Sequence, residues 1–142
     1  MKKIISLILL FFTLSLSSCK IFEEMKTGLE EAKLIVEEFC KELDNENYGN
    51  AKSYLHENAY IKQSEFTTYV NSIESENGFA FIDGIVLKKC VGVESTYYDS
   101  SYDGSVNELT YSCIIGGKSV YMFFVIIDND NGQGIYSFGI ED

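Results

Sequence analysis

The sequence predicts an α+β domain, with helices in the amino-terminal part and an antiparallel sheet after them. Three observations predict it. From Phe22 to Leu43, apolar residues recur at steps of three and four. After Gly78 the period changes to two, and β-branched and aromatic residues dominate. Gly116-Gly117 and Asn129-Asp130-Asn131-Gly132 then break the apolar runs with residues suited to hairpin turns. Helices first and a meander after place the helices on one face of a curved, mainly four-stranded antiparallel sheet.

The first helix carries Met25, Leu29, Ala32, Val36, Phe39, Cys40 and Leu43 on its apolar stripe, with glutamates on the opposite face. Acids in its first turns suit the positive end of the helix dipole. Asp44-Asn45-Glu46-Asn47 breaks the run, and a second helix is expected over Tyr48–Leu55. Ala59-Tyr60-Ile61 reads as a brief extended piece. Ser64 is the expected N-cap of a third helix, Glu65 to about Ile73, with Phe66, Tyr69, Val70 and Ile73 facing the core and Asn77-Gly78 ending it. Strands are expected near Ile85–Thr96, Val106–Ile115, Ser119–Ile127 and Ile135–Ile140, with Tyr97–Ser105 as a polar loop. The run Val120–Ile127 is apolar throughout, which predicts a central strand covered on both faces.

The element order resembles the cystatin-like, nuclear-transport-factor-like cone fold found in small bacterial lipoproteins of uncharacterised families. Phe39-Cys40-Lys41-Glu42-Leu43 matches the aromatic-x-x-x-leucine end of that fold's long helix. Tyr48, Ala51 and Leu55 match the opening of its second helix. The likeness covers roughly Glu24–Asp142. It rests on packing residues, so it speaks for fold and not for function.

The amino terminus carries a second resemblance. Met1-Lys2-Lys3 is a positive start, and residues 4–16 are almost wholly apolar, broken only by Ser6, Thr13 and Ser15. That run is short for a permanent span of about 20 residues and has the length of a signal-peptide core. Leu16-Ser17-Ser18-Cys19 then resembles the lipobox of bacterial lipoproteins. The resemblance implies a diacylglyceryl group on the Cys19 thiol and cleavage between Ser18 and Cys19. The expected organisation is a signal peptide over 1–18, a lipidated anchor and tether over 19–23, and one domain over 24–142. Lys20, in place of the aspartate that retains such proteins at the inner membrane, implies the outer membrane where the cell has one. Lys20-Ile21-Phe22-Glu23-Glu24 is similar to the lysine-plus-acidic tags that carry some lipoproteins to the cell surface.

Composition bounds the partners. A hydrophobic fraction of 46% argues against global disorder. Arginine is absent, and loss of Lys2 and Lys3 with the signal leaves 9 lysines against 22 acids, a net charge of −13. A chain so acidic lacks the clustered cations that nucleic acid requires. It is equally unsuited to lie on anionic lipid through its own charge, so the expected membrane contact is the lipid on Cys19.

No catalytic, cofactor or metal motif stands out. His56 is the only histidine; at a helix end it is a conceivable general base, and more ordinarily a cap or a solvent-facing residue. The cone fold also hosts isomerases and dehydratases, and that resemblance makes Asp83, Tyr69, Tyr111 and Tyr121 candidates to line a pocket. Asp128-Asn129-Asp130-Asn131-Gly132 invites a calcium reading, but the EF-hand spacing fails, since Gln133 stands sixth and Gly139 twelfth. A hairpin turn explains that segment better. Cys40 is expected to be a small buried hydrophobe. Cys90 and Cys113 fall on adjacent strands and are a candidate disulfide, though alternation puts them on opposite faces unless a bulge intervenes. The loop containing Tyr97, Tyr98, Asp99, Tyr102 and Asp103 has the composition of an adaptable contact surface.

Three functional readings follow. The preferred one is a noncatalytic envelope lipoprotein that binds a protein or small ligand. The second, a cone-fold isomerase or hydrolase, requires an ionisable residue inside an open pocket. The third is an inhibitor or immunity-type lipoprotein with an acidic binding face.

Overall fold

A computed structural model describes the backbone of residues 2–141 and the side chains of residues 18–141. The apolar run over 4–16, and Leu16 and Ser17 of the lipobox, lie outside the described side chains. The elements in order are helix α1 (Lys2–Asp44), helix α2 (Tyr48–Ala51), helix α3 (Phe66–Asn77) and strands β1 (Ile85–Asp99), β2 (Gly104–Ile115), β3 (Lys118–Asn129) and β4 (Gly132–Glu141). The strands pair antiparallel in chain order, β1-β2-β3-β4, as one open sheet. The fold is α+β, with helices packed against that sheet, and it is compatible with the cystatin-like cone.

The helical stripe packs as its spacing predicts. Ala32, Val36, Phe39 and Leu43 are fully buried. They face the inward residues of three strands, including Leu109, Met122, Phe124 and Phe138. Residues 19–23, expected to be the anchor and tether, are helical and continuous with the rest of α1. Nothing in Cys19-Lys20-Ile21-Phe22-Glu23 breaks a helix: the segment has no glycine, no proline and no capping residue.

The second helix is shorter than expected. α2 ends at Ala51 and a 3-10 turn covers Lys52–Tyr54. The segment 59–61 is not a strand, but the chain over 55–60 runs along β4. The His56 amide donates to the Ile135 carbonyl at 2.9 Å, and the Tyr60 amide to the Tyr136 carbonyl at 2.9 Å. Leu55 forms a single parallel bridge with Ile135. Gly134 permits this approach, because a Cβ there would stand 2.7 Å from the His56 amide nitrogen. Ser64 does not cap α3. A 3-10 turn, Gln63–Glu65, leads into the helix, Glu65 takes the cap position, and no side chain bonds there. α3 runs one turn past Ile73 and ends at Gly78, which adopts the expected left-handed conformation (φ 65°).

Both hairpin turns form. Gly116 and Gly117 have φ of 54° and 81°, the pair of positive values that a two-residue hairpin turn of the primed type requires. Asn129 pairs with Gly132 across the second turn. The calcium-like segment is therefore a hairpin, closed by the Asn131 amide donating to Asn129 Oδ1 at 2.9 Å.

β3 is central, as expected, but covered on both faces only near Ile127 and on one face along the rest. Met122, Phe124 and Ile126 are fully buried, whereas Tyr121 on the other face is 48% exposed. The helices pack on one side; on the opposite face Ile127 and its cross-strand partner Val106 are nevertheless buried, at the end near the β1–β2 turn. β1 runs to Asp99, so Tyr97, Tyr98 and Asp99 belong to a strand and only residues 100–103 form the turn. β1 also carries register shifts between Leu87 and Lys89, Cys90 and Gly92, and Thr96 and Asp99. These bulges turn Val91 and Val93 out to half exposure.

Candidate functional site

Phenylalanine fills the space between helices and sheet. Phe39 lies edge-on to Phe138 at 4.8 Å between ring centroids, to Phe66 at 6.0 Å and to Phe124 at 6.3 Å. All four rings are fully buried. Such edge-to-face pairs add about 0.5–1.5 kcal/mol each beyond the area they bury. The four candidates for a reactive pocket are not brought together. Tyr69 donates its hydroxyl to the Phe138 carbonyl at 2.6 Å, and Tyr111 is buried in the core. Asp83 sits exposed beside the Gly116 turn, and Tyr121 lies on the outer sheet face.

His56 neither caps a helix nor faces water. It is buried, and both ring nitrogens are engaged. Nδ1 accepts the Asn58 amide at 3.0 Å, so Nε2 carries the proton and donates to Asn129 Oδ1 at 3.0 Å and the Gly132 carbonyl at 3.1 Å. Asn129 in turn donates through Nδ2 to the Tyr102 carbonyl at 2.9 Å. The histidine thus ties the 55–60 segment to the last hairpin, and through Asn129 to the β1–β2 turn. A ring with both nitrogens committed to structural partners is poorly placed to move a substrate proton.

Cys90 and Cys113 do not form the candidate disulfide; both are free thiols. Cys113 stands opposite Leu87 and Cys90 opposite Tyr111, so the two cysteines are diagonal neighbours. That is about 7–8 Å between diagonal residues, beyond the reach of a bridge. The bulge that sets Cys90 facing inward also fixes this offset. Cys40 is buried, as expected. Burial pushes its thiol far above the ordinary range, with Cys113 and Asp44 nearby adding to the effect. Cys113 is raised by burial too, and Tyr111 by burial first and by Cys90 next. These groups form a neutral, inert part of the core.

The tyrosine segment divides between two places. Tyr97 points back to the helix and donates to Glu24 Oε2 at 3.4 Å. Tyr98, on the next residue, donates to Asp103 Oδ1 at 2.8 Å; that bond is the leading cause of its raised pKa. Asp99 Oδ1 accepts the Ser101 amide at 2.8 Å and closes the turn, while Tyr102 packs edge-on against Tyr136 at 4.9 Å. The five residues expected as one loop thus divide between the end of β1 and the turn, and the rings of Tyr97 and Tyr98 stay about half exposed.

A groove opens where α1 first meets the sheet. Its volume is about 700 Å³, within the range of small-ligand sites. One wall is α1 from Lys20 to Glu31, and the other is the ends of β1 and β2, with Asp128 of β3 between. Small residues keep it open: nothing lies within 4 Å of where a Cβ on Gly28 would stand. Its floor is polar. Asn107 is only 4% exposed and accepts the Ser95 hydroxyl through Oδ1 at 2.6 Å. Its Nδ2 has no acceptor among the described residues. Glu23, Glu24, Glu31 and Asp128 line the groove against a single cation, Lys20. Lys20 pairs with Glu24 at 3.8 Å, and no other described ion pair involves the lining carboxylates. These acids are too dispersed for a metal: among the described residues, no group of three His, Cys, Asp or Glu is placed to hold an ion. Neither the family models nor the curated proteins contain a match to this chain.

The groove was not foreseen from sequence, since its walls come from residues 64 to 108 positions apart. A signal was nevertheless present. Ser105 and Asn107 occupy the inward positions of β2 that Leu109, Tyr111, Cys113 and Ile115 continue, and polar residues on an inward alternation mark a place where the core stops.

Proposed function

We propose that this chain is an envelope lipoprotein, anchored through lipid on Cys19, whose domain is a noncatalytic binding module working through the groove beside the anchor. One observation carries the reading: the interior is filled by phenylalanine while the anchor end stays open and polar. A reaction chamber in this fold needs the interior space that Phe39, Phe66, Phe124 and Phe138 occupy. The Leu16-Ser17-Ser18-Cys19 sequence supports the anchor. α1 runs unbroken from that cysteine into the groove wall, so Glu31 lies only about 18 Å along the helix from the lipid.

The anchor is tested by growing cells with an alkynyl palmitate analogue and fractionating them. The wild-type chain is expected to take up the label and to sediment with the envelope, with a mature amino terminus at Cys19. Cys19→Ser is expected to lose the label. A labelled Cys19→Ser chain, or an unlabelled wild type, overturns the anchor.

A further inference from the structure

We propose that the anchor end of the domain rests on the membrane itself, with Phe22 of α1 and Tyr98 at the tip of β1 seated in the interfacial layer of the bilayer. This rests on the anchor proposed above and goes beyond it: protein side chains, and not acyl chains alone, meet lipid.

The apolar stripe of α1 outruns the sheet it packs on. Phe22, Met25, Leu29, Ala32 and Val36 follow one another at alternating steps of three and four, so they share one helix face. On that face Ala32 and Val36 are fully buried and Met25 and Leu29 are partly so, but Phe22 is 69% exposed. Ile21 beside it is exposed as well. Phe22 lies three residues from Cys19, about 4.5 Å along the helix axis.

The tip of β1 reaches the same level. β1 runs against the direction of α1. At its start the Ile85 amide donates to Asp44 Oδ1 at 3.2 Å, and near its end the Tyr97 hydroxyl donates to Glu24 Oε2 at 3.4 Å. Tyr97 and Tyr98 therefore stand across the groove from Lys20 and Glu24. Tyr97 bonds towards the helix and Tyr98 towards the β1–β2 turn, so their rings spread over the tip, each about half exposed. Both hydroxyls already have a carboxylate partner, so the rings can enter a headgroup layer without leaving a polar group unmet. Rings with an apolar body and a satisfied polar tip are the side chains that membrane interfaces favour.

Position names the occupant. Residues 4–16 are almost wholly apolar, and Cys19 follows on the same helix. Whether it is held by lipid on Cys19 or by the apolar run before it, this is the end of the chain that meets a membrane. A bilayer at Cys19 then lies within one helical turn of Phe22. Glu23, Glu24, Asp99 and Asp103 flank the rings and keep their charges in water, so the contact is shallow.

The chain has no tryptophan, so a single substitution reports without background. Phe22→Trp, Tyr98→Trp and Val86→Trp each replace an exposed side chain, and Val86 lies at the far end of β1, beside the Ile85–Asp44 contact. Each full chain is purified in a nonionic detergent and reconstituted into phosphatidylcholine nanodiscs whose acyl chains are plain or brominated near the glycerol. Bromine quenches tryptophan only at close range. Phe22→Trp and Tyr98→Trp are expected to lose at least about a third of their emission in the brominated discs, and Val86→Trp less than about a tenth, as side chains about 5–10 Å into the headgroup and acyl boundary require. Tyr98→Trp quenched no more than Val86→Trp overturns the proposal, even where Phe22→Trp is quenched, because the anchor alone brings Phe22 near lipid. Equal quenching of all three also overturns it, since lipid contact would then not be confined to the anchor end. The anchor is read separately by label and fractionation. A labelled, sedimenting chain with unquenched Tyr98→Trp loses this proposal and keeps the anchor; a chain neither labelled nor retained by the discs loses both.

Discussion

Along α1 the gap between helix and sheet is filled in two different ways. At Phe39 it is closed by four interlocking aromatic rings, with no polar atom needing a partner. About two to four turns nearer Cys19, at Met25–Glu31, the same helix faces hydroxyls, carboxylates and one buried amide across open space. The same two elements therefore make a core at one end and a cleft at the other. What changes is side-chain volume and polarity at inward positions, and with it the stability each end contributes. The aromatic end holds the fold together. The polar end contributes little to stability and is free to be shaped for contact.

The harshest way to break this contrast is Phe39→Ala. Removing a fully buried ring at the centre of the cluster should cost about 3–5 kcal/mol, read as a lowered urea midpoint. Thr27→Ala, at the exposed groove wall, should stay within about 0.5 kcal/mol. Comparable losses in the two would mean that the groove is part of the core.

His56→Ala comes next. It leaves the Asn58 amide, Asn129 Oδ1 and the Gly132 carbonyl without the ring, at a cost of about 2 kcal/mol. Amide exchange at Ala59 and Tyr60 should accelerate together with the loss, because that segment would detach from β4. Stability lost without such local exchange would argue that the ring acts by packing alone.

A third prediction concerns the thiols. Cys40 has a pKa raised by burial, so the folded state holds its proton where the unfolded chain releases it. The resulting stability is intact below the unfolded thiol pKa of about 8.5 and declines as pH rises above it. One such group loses about 1–2 kcal/mol by pH 10. Urea titrations at pH 7 and pH 10 should show a smaller difference between the two pH values in Cys40→Ala than in wild type. An unchanged difference would refute this account. A small effect of the opposite sign belongs to Gly28→Ala. This mid-helix glycine has open space at its Cβ, so alanine should stabilise by about 0.5–1 kcal/mol.

The same contrast explains what was legible in the sequence. α1, α3 and the four strands were readable because a period of 3.6 or 2 repeats over ten or more residues, and the hairpins because Gly116-Gly117 and Asn129–Gly132 carry turn chemistry. Features set by contacts distant in sequence were not readable. Nothing local shows that His56 reaches Asn129, 73 residues on, or that Gly134 lets the 55–60 segment lie against β4. The Cys90–Cys113 pairing failed on the β1 bulges, since irregularity leaves no periodic trace and a single extra residue changes which side chains meet. Ser64 failed for a related reason. A 3-10 turn placed the helix start one residue later, where Glu65 stands.

The two margins of the sheet also differ, and the difference would matter for a molecule held in a crowded plane by the proposed anchor. The margin at β4 is partly covered by the chain's own 55–60 segment, which pairs with Ile135 and Tyr136. The margin at β1 is bare, and lipid tethering would bring many such margins to a common height, where strand-to-strand fusion between neighbours is easiest. Its defence lies in irregularity. Lys88 and Val91 sit at the bulges, where the ladder skips a residue, and Lys88, Lys89 and Glu94 project charge from it. A neighbour seeking a long, even row of donors and acceptors finds only short, offset stretches, and each molecule can stand beside its fellows without zipping to them.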